Sequence, residues 1–304
     1  MRSEPFVAAS GQLTGQFGRY LILDGLGVGA VAEVYRARTP EGRKIALKIL
    51  NESASLQPRI RQLLRNEYEI MNLLRLPGVI QAIDFGEVGT RLYLAMEMAE
   101  GQSLEVMLHP QKTLGESVAI TLTKQIATTL HQIHARSIVH RDIKSGNVII
   151  TSDGRALLID FGAAINRNKQ VDNGSHAIFG TPAFLAPEQI RNSATVDGRA
   201  DLYSLGVILY RMISGRKPFY GNRDELLEAQ LHALPPPPSE FTHVSPALEA
   251  LILRMLAKEP DQRYQTGVEV VDALDHVELT PYTPPPSIGK RLFGWLRNNG
   301  NNEG

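Results

Sequence analysis

Eight consecutive residues, His140-Arg141-Asp142-Ile143-Lys144-Ser145-Gly146-Asn147, hold a carboxylate, a lysine and an amide, and Asp160-Phe161-Gly162 adds a second carboxylate. A site that moves a phosphoryl group from a magnesium nucleotide needs those residue types. One Asp orients a hydroxyl nucleophile, an Asn and a second Asp hold metal, and a Lys neutralises charge on the moving phosphate. Apolar runs flank the segment, Ile138-Val139 before it and Val148-Ile149-Ile150 after it. A turn at Ser152-Asp153-Gly154 and a further run at Ala156-Leu157-Leu158-Ile159 follow. This pattern predicts a loop leading into a short hairpin, which would deliver all four groups to one place.

Composition sets the frame for those elements. At 304 residues the chain lies near the upper limit for a single core. Its 43% hydrophobic and 21% charged residues are ordinary for a globular protein. Lys plus Arg and Asp plus Glu both count 32, so no overall field favours nucleic acid or an anionic membrane. The absence of Cys excludes disulfides, thiolate metal sites and cysteine nucleophiles, and fits a reducing compartment. No apolar run approaches the roughly 18–20 residues that span a bilayer. Met1-Arg2-Ser3-Glu4-Pro5 is a poor signal peptide, so a cytoplasmic protein is the expectation.

Residues 1–18 are small and polar and read as a loose leader. An apolar run from Arg19-Tyr20-Leu21-Ile22-Leu23 then enters Gly25-Leu26-Gly27-Val28-Gly29-Ala30-Val31-Ala32. It leaves through the alternating Glu33-Val34-Tyr35-Arg36-Ala37-Arg38, and Lys44 to Leu50 reads as the next strand. Glycines between strands let backbone N–H groups approach phosphate oxygens without a Cβ in the way. A dinucleotide fold would need a helix directly after the glycines; strand residues follow instead, so that alternative fails. Lys48 ends an otherwise apolar strand, where an unpaired ammonium would be costly. Residues 60–74 carry apolar side chains at helical spacing, and this helix offers Glu67 or Glu69 as a partner. Val118 to Ala135 has the same spacing and leads into the loop described first.

The order H-R-D-I-K-S-G-N then D-F-G resembles the protein kinase signature, and the resemblance extends over roughly Tyr20–Leu274. Its style is most similar to bacterial Ser/Thr kinases, as in Leu-Ala-Lys-Glu-Pro-Asp-Gln-Arg-Tyr at 256–264. The resemblance implies an α+β, two-lobed fold. A small β-rich lobe with one main helix would cover about 19–98, and a larger, mostly helical lobe about 99–278. It implies an ATP- and Mg²⁺-dependent enzyme, or one using Mn²⁺ in its place, that phosphorylates Ser or Thr of protein substrates and itself.

The same resemblance assigns roles by position. Leu26, Gly27, Gly29, Val34 and Ala46 would enclose the nucleotide, with Ala32 standing where the family has a third glycine, a mild departure. Lys48 would reach the phosphates and pair with Glu67, favoured over Glu69 by its spacing to Ile70-Met71 and Pro77. Met96 would guard a back pocket, and the backbone of Glu97, Met98 and Ala99 would read the adenine edge. Asp142 would take the hydroxyl proton, and Asn147 and Asp160 would bind metal. Lys144 is the residue type of the Ser/Thr branch, and Thr181 would bridge it to Asp142. His140 is expected to pack and hydrogen-bond near Asp160 rather than do chemistry. Asp201 would hold the loop backbone, and Glu188 would pair with Arg263. Asn166 to Gly180 reads as an activation loop. Ser175 is its only Ser or Thr, and so the candidate phosphosite opposite Arg141.

Two rivals stay in view. A pseudokinase scaffold would bind nucleotide without transfer, although Lys48, Asp142, Asn147 and Asp160 are all present. A small-molecule kinase can share the carboxylate logic but lacks the Gly180 to Glu188 stretch and the helix after Asp201. Beyond 279, a Pro-rich linker precedes a short basic amphipathic stretch at 288–297, which would make at most a weak membrane or partner contact. Some relatives continue here through a membrane helix into a sensor, and none is expected for this chain.

Overall fold

The structure is a computed structural model that describes residues 6–7, 13–109, 112–169, 180–192 and 195–278. The first lobe is a seven-stranded sheet of β1 (Phe6–Val7), β2 (Leu13–Phe17), β3 (Tyr20–Val28), β4 (Ala32–Arg38), β5 (Lys44–Leu50), and, beyond the helices α1 (Glu52–Ser55) and α2 (Pro58–Leu73), β6 (Ala82–Val88) and β7 (Arg91–Glu97). Neighbouring strands run in the order β1-β2-β3-β4-β5-β7-β6, all antiparallel. Residues 13–17, expected in a loose leader, instead form β2, whose Gly15–Phe17 pair with the start of β3, Phe17 opposite Tyr20. Phe17 is buried and meets Tyr93 edge-on at 5.9 Å, so tertiary packing supplies what a short Gly-containing segment lacks on its own.

Alternation sorts the sheet into two faces. Tyr35, Ala37, Ile45, Leu47 and Ile49 pack into a closed cluster on one side. On the other side Val34 stands opposite Lys48 and Ala46 opposite Met96, which puts all four toward the second lobe. Helix α2 starts with Pro58 at its first turn, where a missing N–H costs nothing, and buries Leu64, Glu67, Ile70 and Met71.

The second lobe opens with β8 (Gly101–Ser103), α3 (Leu104–Met107), α4 (Glu116–His134) and β9 (Ile138–Val139). The expected hairpin is present as β10 (Val148–Thr151) and β11 (Ala156–Leu158), with Val148 opposite Leu158. Strand β12 (Ile165–Asn166) pairs with β9. Then follow α5 (Pro187–Arg191), α6 (Gly198–Ser214), α7 (Arg223–His232), α8 (Pro246–Met255) and α9 (Gly267–Asp275). Helix α6 is the lobe's centre, with every residue from Ala200 to Tyr210 buried. Asp197 caps its N-terminus, and Gly215 ends it in the left-handed conformation at φ +75°. One core cluster runs from α2 through α4 and α6 to α9. Among the described residues, no helix is long and apolar enough to cross a membrane.

Candidate active site

Strand β5 and helix α2 bring the first pair together. Lys48 Nζ donates to both Glu67 carboxylate oxygens at 2.8 Å and to Asp160 Oδ1 at 3.0 Å. Burial opposes the Lys48 charge, but Glu67 and then Asp160 outweigh it and hold the ammonium well above the ordinary lysine value. Burial pushes Glu67 up to about 7, with Lys48 pulling the other way. Asp160 is also penalised by burial, yet Lys48 outweighs that and keeps its carboxyl far below the usual range. Glu69, the competitor for Lys48, lies on the surface and bonds Lys169 at 2.7 Å instead.

The second group stands on the loop between β9 and β10. Asp142 Oδ1 accepts from Thr181 N at 3.0 Å and from Thr181 Oγ1 at 3.1 Å. Its other oxygen accepts from Lys144 Nζ at 2.6 Å and Asn147 Nδ2 at 3.1 Å. Lys144 also reaches Thr181 Oγ1 at 3.0 Å, so Thr181 bridges the two. The Asn147 amide nitrogen further donates to the Asp142 carbonyl at 2.9 Å. Both groups are joined through the hairpin, where Ile159 N donates to Asn147 O at 3.0 Å and so fixes Asp160 beside Asn147.

The backbone is held in an uncommon conformation just before one carboxylate and at the other: Arg141, preceding Asp142, has φ +65° and Asp160 φ +64°. Such residues cost about 1–3 kcal/mol unless their surroundings over-determine them. At Arg141 they do: its N–H donates to Asp201 Oδ1 at 2.8 Å, its Nε to Ala163 O at 2.7 Å, and its carbonyl accepts from Gln189 Nε2 at 2.8 Å. Asp201 takes His140 N at 2.9 Å and His134 Nε2 at 2.8 Å as well. Burial alone would raise Asp201, but His134 and the loop N–H groups lower it, so it is held as a carboxylate. Gly180 shows why the loop entering Thr181 needs glycine: φ is +113°, and a Cβ would stand 2.9 Å from Arg141 O.

The His140 ring packs against Phe161, centroids 4.6 Å apart. Its Nδ1 accepts from Asp142 N at 3.4 Å, as expected of a residue that packs and bonds beside the site, while its Nε2 is buried without a partner among the described residues. Glu188 and Arg263 form a two-pronged pair at 2.7 and 2.8 Å. Arg263 also donates to Ala257 O, Lys258 O and Arg199 O, so its planar fork is fully used.

The remaining expected residues lie on the first-lobe strands, in the turn between β3 and β4, and in the segment after β7. Leu26 is partly exposed on β3, and Gly27 stands opposite Val34 with nothing within 4 Å of a Cβ position. Gly29 N donates to Ala32 O at 2.8 Å, and the Ala32 methyl is taken up in the core, which explains why alanine is accommodated there. Glu97 ends β7 with Met98 and Ala99 following. A cavity of about 710 Å³ lies against 97–100, between Arg75 and Arg155; Lys48, Asp142, Asn147 and Asp160 do not line it. Ser175 and the 288–297 stretch lie outside the described residues.

Several contributors had no legible sequence signal. His134 on α4 and Gln189 on α5 carry common residue types far from the loop they hold. The same is true of Glu105 on α3 and Arg211 on α6, which both contact Ser145 of the loop. Only Gln189, adjacent to Glu188, stands beside a recognisable motif.

The donor set fits a hard divalent cation carried in with phosphates. Asn147 Oδ1 and Asp160 Oδ2 receive no hydrogen bond from the described residues, and no cluster of three or more His, Cys, Asp or Glu groups is found among them. Mg²⁺ favours such partial sets, completed by phosphate oxygens and water.

A two-lobed fold with a lysine–glutamate pair above and an Asp/Lys/Asn/Thr cluster below defines a phosphotransferase cleft. A family model described as the protein kinase domain matches residues 20–277, and the chain belongs to that family. It is 34% identical to the serine/threonine-protein kinase pkn2 of Myxococcus xanthus, over 94% of this chain and 38% of that protein. For Pkn1 of the same organism the figures are 36%, 92% and 42%. For PknE of Mycobacterium bovis they are 33%, 83% and 44%. The chain thus spans about two fifths of the length of these relatives.

Proposed function

We propose that this chain transfers the γ-phosphoryl group of ATP to Ser or Thr hydroxyls of protein substrates, its own loop included. The observation that carries this reading is the cluster in which Asp142, Lys144, Asn147 and Thr181 meet within 2.6–3.1 Å. Asp142 is the acceptor of the hydroxyl proton, and Thr181 and Asn147 hold its carboxylate in place. The hydroxyl oxygen bonds to the γ-phosphorus, the bond to the β–γ bridging oxygen breaks, ADP leaves, and the proton passes to Asp142. Lys144 stands beside Asp142 to offset charge on the transferring group. Lys48, oriented by Glu67, binds the phosphates of the nucleotide. Leu26, Gly27, Gly29, Val34 and Ala46 enclose it, and the backbone of Glu97, Met98 and Ala99 meets the adenine. Asn147 and Asp160 would hold Mg²⁺, or Mn²⁺, which neutralises phosphate charge when bound.

Preference for Ser and Thr is supported by Lys144 two residues after Asp142 and by its bond to Thr181, and by the names of the relatives. The cysteine-free composition favours work in the cytoplasm. The test is phosphoamino-acid analysis after incubation with radiolabelled Mg·ATP and a generic basic protein. Label on phosphoserine or phosphothreonine is expected. Label found only on a small metabolite, or none at all, refutes the proposal.

A further inference from the structure

Asn51, the residue after β5, joins three segments. Its backbone N–H donates to Val31 O at 3.0 Å, and its side-chain Nδ2 donates to Ala30 O at 3.0 Å. Its Oδ1 accepts from Ala54 N at 2.8 Å and Ser53 Oγ at 3.0 Å, which caps α1. Both carbonyls at the tip of the glycine loop are therefore tied to one residue. The N–H groups of Ala30 and Val31, by contrast, make no hydrogen bond to the described residues, and so remain donors for an anion. An amide is the side chain that can do this, since it donates from one end and accepts at the other.

Glycine-rich backbone loses more freedom on ordering than other sequences. A loop whose tip is anchored in advance loses less of it when a ligand is enclosed, and affinity rises accordingly. We propose that Asn51 is a positioning residue for the nucleotide: it latches the Ala30–Val31 tip over the polyphosphate and thereby sets ATP affinity. This rests on the phosphoryl-transfer reading above.

Asn51→Ser separates the latch from the cap. Serine still accepts from Ala54 N as a good N-cap but cannot reach Ala30 O. The full chain is titrated calorimetrically with the non-hydrolysable analogue AMP-PNP plus Mg²⁺ and with adenosine, alongside steady-state kinetics and thermal unfolding. The latch predicts an AMP-PNP Kd and an ATP KM raised about fivefold, the weight of one net hydrogen bond. Adenosine affinity, kcat and melting temperature stay at wild-type values. Asn51→Ala shows the same KM change with a lower melting temperature. Wild-type affinity for AMP-PNP in Asn51→Ser overturns the latch alone, as does an equal loss for adenosine. Failure of the wild-type chain to bind AMP-PNP overturns the underlying reading with it.

Discussion

Lys48 and Glu67 stand 2.8 Å apart at both carboxylate oxygens, and the Glu67 side chain is only 2% exposed. The pair fixes α2 against β5 and aims Lys48 at Asp160. Its strength depends on a charge that burial disfavours, so the geometry that orients the lysine is also sensitive to protons.

That sensitivity gives a prediction of opposite signs. Glu67 in the folded chain sits near 7, against about 4.3 when unfolded. Between those values the folded form binds the extra proton. Its contribution to stability is therefore present at low pH and is lost as pH rises through 7. Activity runs the other way, because a protonated Glu67 releases Lys48. We expect kcat/KM to fall below neutral pH, and Glu67→Gln to be weakly active with that acidic limb gone. An unchanged acidic limb in Glu67→Gln would show that another group sets it.

Glu188→Ala is expected to destabilise the second lobe by about 3–5 kcal/mol, because it strands a buried guanidinium. The Arg263 side chain is 0% exposed. Thermal unfolding should show a melting temperature lower by roughly 10 °C. A drop of under about 2 °C would mean that Arg263 finds another anion or turns outward.

Asp201 holds both N–H groups at the start of the loop and the His134 ring. Asp201→Ala removes hydrogen bonds to a charged group, each about 1.5–3 kcal/mol, and frees Arg141 from its left-handed conformation. A kcat on the order of a hundredfold lower is expected, since small displacements at a reacting centre have that effect. Nucleotide affinity should hold, because Lys48 and the glycine loop are untouched. Equal losses in both would place Asp201 in the general stability of the lobe.

The legible parts of the site are those that lie in short stretches of chain. Lys48, Asp142, Lys144, Asn147 and Asp160 stand in runs whose spacing is set by one loop or one strand; helical spacing narrowed the partner of Lys48 to Glu67 or Glu69, and the family resemblance favoured Glu67. What escaped the sequence rests on tertiary partners of ordinary type. Gln189 bonds Arg141 across 48 residues, His134 reaches Asp201 across 67, and Arg211 meets Glu105 across 106. Strand β2 escaped for a related reason: Leu13-Thr14-Gly15-Gln16-Phe17 is a weak strand alone and forms against β3. His140 shows the reverse, a residue with a catalytic look whose ring packs on Phe161.

The most direct measurement is single-turnover phosphate transfer by Asp142→Asn. An amide keeps the bulk, and its oxygen can still accept from Thr181, but it cannot take the hydroxyl proton. The account predicts transfer slowed on the order of a hundredfold or more, with AMP-PNP and Mg²⁺ bound as in wild type. Transfer at the wild-type rate would contradict it.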